Sequence, residues 1–100
     1  MAEALVALPA GGYAITVPLT FATVSAVREF ALPLIEQASA SLSFDLLQVQ
    51  RVDSAGLALL IDWLALARAR NCRLSYREPS EALLALARLS DVEQLIRGDG

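Results

Sequence analysis

The sequence predicts an α/β domain: a mixed sheet of about four strands with helices packed over it, in the order β-β-α-β-α-β-α-α. Two short apolar runs at the start flank the turn Pro9-Ala10-Gly11-Gly12, which reads as an antiparallel hairpin. Farther along, apolar runs of strand length alternate with stretches of helical period. The later strands must therefore be joined by helical crossovers and should be mostly parallel. A chain of 100 residues has room for one compact core, so residues 1–100 are read as a single domain.

The elements follow in order. Ala4 to Leu8 is the first strand, and Tyr13 to Pro18 alternates Tyr13, Ile15 and Val17 against smaller residues as the second. From Thr20 the period changes. Val24, Val27, Ala31, Leu34, Ile35 and Ala38 recur at helical spacing, with Thr20 or Thr23 as the expected cap. Pro33 should kink or break this first helix, because its ring removes one donor and crowds the preceding turn. Ser43 to Val49 reads as a central strand whose end delivers the loop Gln50 to Gly56. Leu57 to Arg70 lacks Pro and Gly and is dominated by good helix formers, which makes the second helix, closed by Asn71. Cys72 to Arg77 alternates Cys72, Leu74 and Tyr76 as a strand. Pro79-Ser80 opens a third helix carrying Leu83, Leu84, Leu86, Ala87 and Leu89, and a last short helix begins at Ser90 or Asp91 and includes Val92, Leu95 and Ile96.

Composition excludes several kinds of function. With 56% hydrophobic and 19% charged residues the chain can fill a core and leave apolar surface for another protein to cover. The net charge of −3 and the absence of a basic stripe exclude nucleic acid as the expected partner. A single cysteine, Cys72, allows no internal disulfide and fits a reducing compartment. The segment Met1 to Val6 lacks the positive start of a signal peptide, and no apolar run approaches the roughly 20 residues of a membrane span, so the chain is expected to be cytosolic. There is no histidine, no lysine and no phosphate-binding glycine loop. Asp45, Asp53 and Asp62 are the carboxylates nearest to acid/base work, but Asp45 falls in a strand and Asp62 is turned away from Asp53 by the helical count. No enzyme activity, cofactor or metal site is expected.

The segment Asp53-Ser54-Ala55-Gly56 lies where a strand hands over to a helix N-terminus, the place in an open α/β sheet where functional groups gather. Two readings stand side by side. Asp53 or Ser54 is an N-cap with Gly56 allowing close strand-to-helix packing, or the segment meets a partner. The second helix adds a face to it. Leu60, Trp63, Leu64 and Ala67 share the side assigned to the sheet; Ala58, Ile61, Asp62, Ala65, Arg68 and Ala69 lie opposite. That outer side would admit another helix closely, with Ile61 as apolar anchor and Asp62 and Arg68 as rim charges.

The string Val52-Asp53-Ser54-Ala55-Gly56-Leu57-Ala58-Leu59-Leu60, with the Leu/Ala-rich helix after it and the strand near Cys72 to Tyr76, resembles the signature region of STAS domains. These occur in anti-sigma factor antagonists and in the cytoplasmic parts of sulfate transporters. Together with Leu64-Ala65-Leu66-Ala67-Arg68 it is most similar to the Mla-type STAS proteins of ABC transporters that move phospholipids to maintain outer-membrane asymmetry. The resemblance implies a non-enzymatic partner protein whose residue Ser54 either touches another protein or is phosphorylated by a kinase. In the Mla-type case Ser54 contacts the transporter's ATPase subunit, with Asp53, Ala55, Gly56, Ala58, Ile61, Asp62, Ala65 and the third helix around it, at the inner face of the inner membrane. In the antagonist case an anti-sigma factor kinase phosphorylates Ser54, placing about two negative charges in the contact. A second hydroxyl residue often follows the first in that pattern; here it is Ala55, which favours direct contact. Whether the isolated chain forms a homodimer stays open.

Overall fold

The computed structural model describes residues 4–98; Met1 to Glu3, the start of the segment read above for a signal peptide, and the last two residues lie outside it. In chain order the elements are β1 (Leu5–Ala7), β2 (Tyr13–Ile15), α1 (Val24–Gln37), β3 (Ser41–Asp45), α2 (Ser54–Ala69), β4 (Arg73–Arg77), α3 (Glu81–Leu89) and α4 (Glu93–Arg97). The strands form one sheet ordered β1-β2-β3-β4, with β1 antiparallel to β2 and β2, β3 and β4 mutually parallel. This is the order and sheet type that the alternation of periods predicts. The hairpin turn uses Gly11 and Gly12, both at positive φ (101° and 79°), a backbone region that costs glycine little.

Several boundaries differ from expectation. The expected strand Ser43 to Val49 runs instead from Ser41 to Asp45. The Asp45 carboxylate accepts the Leu47 N–H (2.8 Å), turning the chain out of the sheet. Leu46 and Val49 stay buried beyond the strand end, so the apolar run continues where the strand does not. The second helix begins at Ser54 rather than Leu57, which places Ser54, Ala55 and Gly56 in its first turn and not in a loop. The first helix runs unbroken through Pro33. Thr23 holds the cap position of α1 without capping it by its side chain; its hydroxyl donates to the Pro18 carbonyl (2.6 Å) and accepts the Thr20 N–H (3.0 Å). The last helix starts at Glu93, because Asp91 adopts positive φ (60°) and the Val92 N–H closes back on the Ala87 carbonyl (2.9 Å).

The core centres on Phe44. Its ring packs edge-on to Trp63 of α2 (5.4 Å between centroids) and to Tyr13 (6.5 Å), and stacks beside Tyr76 (6.4 Å). The Tyr76 hydroxyl donates to the Leu60 carbonyl (2.6 Å), tying the sheet to the middle of α2. Alternation along β4 sets which face is covered: Leu74 and Tyr76 are buried, while Arg73, Ser75 and Arg77 are exposed. Val27, Ala31 and Ile35 of α1, Leu83, Leu84 and Ala87 of α3, and Ile96 of α4 complete the interior.

Candidate functional site

The site is assembled at the carboxyl ends of β2 and β3. The second strand ends at Ile15, short of the expected Pro18, and beyond it Leu19 forms an isolated parallel bridge with Val52. Leu19 N–H donates to the Arg51 carbonyl (2.9 Å) and Asp53 N–H to the Leu19 carbonyl (3.1 Å). The chain therefore reaches Asp53 as an extended strand and turns there into α2. Asp53 is the N-cap: one carboxylate oxygen accepts from Ala55 N–H (2.9 Å) and Gly56 N–H (3.1 Å). The other oxygen crosses to the preceding connection and accepts the N–H of Phe21 (2.9 Å).

These donors hold the Asp53 carboxyl below its usual value of 3.8, with the Phe21 N–H the largest cause and the Gly56 N–H next; partial desolvation opposes them. An acid shifted downward is a poor general base at neutral pH. It organises the turn instead. Gly56 is buried against Leu19, where a Cβ would collide with the Leu19 carbonyl oxygen and carbon. Only glycine allows α2 to start so close to the Leu19 backbone.

With the flanking residues fixed in this way, Ser54 stands exposed as the first residue of α2. Down the helix Ala58, Asp62, Ala65, Arg68 and Ala69 are exposed, while Ala55 and Ile61 are half-buried. Leu60, Trp63 and Ala67 lie in the core as the helical count requires, Leu64 of the same expected side is only half-buried, and Leu57 and Leu59 join the core. The outer face of α2 is thus the small-residue face expected, with less of Ile61 available than its position suggests.

The sequence reading missed the contribution of α1. Val24, Ser25 and Arg28 face Ala55, Ala58 and Asp62 across an open groove of about 350 Å³. A second hollow of about 370 Å³ continues it past Arg28 and Asp62 to Leu32, Trp63 and Leu66. Phe21 was missed as well, at 84% exposure beside the Asp53 cap. A Phe in sequence reads as core; the one local hint is that it falls between Thr20 and Thr23, outside the helical period. Among the described residues no group of three or more His, Cys, Asp or Glu side chains is placed to hold a metal ion, and no helix is long and apolar enough to cross a membrane.

A mixed sheet followed by an aspartate-capped Asp-Ser-x-Gly-Leu helix start, with the serine exposed and the glycine against the Leu19 backbone, defines a STAS-type domain. Residues 14–97 match the family model described as Mlab, STAS domain, and the chain belongs to that family. Comparison with curated proteins gives no match. STAS domains are in general non-enzymatic and typically mediate contacts between proteins.

Proposed function

We propose that the chain is a non-enzymatic accessory subunit that binds the ATPase of a phospholipid-transport ABC complex and so stabilises or regulates it. The observation that carries this reading is Ser54, exposed on a helix turn that Asp53 and Gly56 hold rigid, at the head of the exposed stripe Ala58, Asp62 and Ala65. Small side chains there allow a partner helix to approach closely, and the charges of Asp62 and Arg68 sit at the margin, as in an interface rim. Membership of the MlaB-type family supports the choice of partner.

Co-purification with the ATPase subunit tests the site. Ser54→Glu and Ala58→Arg add charge and bulk at exposed positions, so both variants should fold and both should lose the ATPase. Retention of the ATPase by both would remove this face from the interface. In the competing reading, an anti-sigma factor antagonist switched at Ser54, incubation with a cognate kinase and ATP gives a phosphate adduct by intact mass that Ser54→Ala lacks. The exposed position of Ser54 serves either use, and Ala55 in place of a second hydroxyl favours direct contact.

A further inference from the structure

Phe21 is exposed over 84% of its surface, and single exposed apolar side chains are common enough to carry nothing by themselves. Leu89 at the end of α3 is one, at 86%. The difference lies in what holds Phe21. Its own N–H is bound by Asp53, the same carboxylate that caps the turn carrying Ser54. On its other side Thr23 closes the turn, with Thr23 N–H on the Thr20 carbonyl (2.8 Å), Thr20 N–H on the Thr23 hydroxyl and that hydroxyl on the Pro18 carbonyl. An exposed aromatic ring is thus mounted on a backbone locked from both ends.

Such mounting lowers the ordering cost of binding, which is what distinguishes an anchor from an incidental surface residue. The surroundings narrow the kind of partner. No charged residue occurs between Ala4 and Val27, so the turn's own side chains offer no cation for phosphate headgroups or nucleic acid, and the charge bound to the turn is the Asp53 carboxylate on the Phe21 N–H, which repels such anions. Because one carboxylate binds the amide of Phe21 and the amides of the turn that carries Ser54, the two backbone segments lie side by side, within reach of one partner.

We infer that Phe21 is an aromatic anchor of the Ser54 interface, inserting into an uncharged apolar cleft of the partner protein, with Asp53 as the residue that positions it. This rests on the reading that Ser54 docks on the ATPase subunit. The test is a titration of the purified chain with that purified ATPase subunit, using wild type, Phe21→Ala, Ser54→Glu and, as an exposed apolar control on α4, Leu95→Ala, with thermal unfolding as a folding control and sedimentation to follow self-association. Phe21→Ala should bind at least about tenfold more weakly with an unchanged unfolding midpoint, and Leu95→Ala should bind as wild type. Wild-type affinity in Phe21→Ala beside lost affinity in Ser54→Glu overturns the anchor and leaves the docking site standing. Wild-type affinity in both overturns the docking reading, and the anchor with it. Loss of self-association in Phe21→Ala with ATPase binding intact assigns the ring to a second copy of this chain and likewise overturns the inference.

Discussion

Asp53 does more at residue scale than a sequence motif conveys, because its two oxygens serve different segments: one the first turn of α2, the other the Phe21 amide. Its carboxyl is held below the usual value in the folded chain, so the stabilisation it supplies is present above the unfolded value and is lost as pH falls through the folded one. Asn in its place keeps an acceptor but not the charge. The thermal midpoint of Asp53→Asn should therefore lie below wild type at neutral pH, and the gap should close as the pH falls below about 4. A gap that persists undiminished in acid would contradict this role. Gly56 gives a sharper prediction. A methyl group there meets the Leu19 backbone rather than a movable side chain, so Gly56→Ala should destabilise by more than about 2 kcal/mol, read from denaturant unfolding. A change within about 0.5 kcal/mol would show that the contact relaxes freely.

At the scale of elements, α2 is the part that joins core to site. Tyr76 donates from β4 to the Leu60 carbonyl deep in the protein, and burial pushes its hydroxyl well above the usual 10.0. Tyr76→Phe removes that bond at nearly constant shape and should cost about 1 kcal/mol in chemical denaturation without affecting partner binding. The hairpin around Pro9 to Gly12 and the body of α2 were legible in the sequence, since turn chemistry and a long run of helix formers are local signals. The start of α2 was not, because Gly56 reads locally as a helix breaker; its reason for being there is Leu19, a residue distant in sequence. The end of β3 was hidden for a related cause: Leu46 and Val49 are buried by tertiary packing after the strand has ended. Val24, Ser25 and Arg28 joined the site only once α1 was laid beside α2, a pairing that no local period encodes.

At the scale of the whole molecule, the strand order matters most. With β2 and β3 adjacent and parallel, both connections leave the sheet at one end, which brings the Phe21 turn to the head of α2. The element order and the signature around Ser54 made this fold and its family readable from the chain, whereas the neighbourhood of Ser54 needed three dimensions. The proposed role also belongs to this scale, since it requires a fixed surface and no catalytic group.

The most direct measurement of that role is the dissociation constant between this chain and the ATPase subunit of the phospholipid-transport complex, for wild type and Ser54→Glu under the same salt conditions. Wild type should bind as a defined complex, and Ser54→Glu should bind at least about tenfold more weakly while unfolding at the same temperature. Equal affinities, or no binding by the folded wild-type chain, would contradict the account.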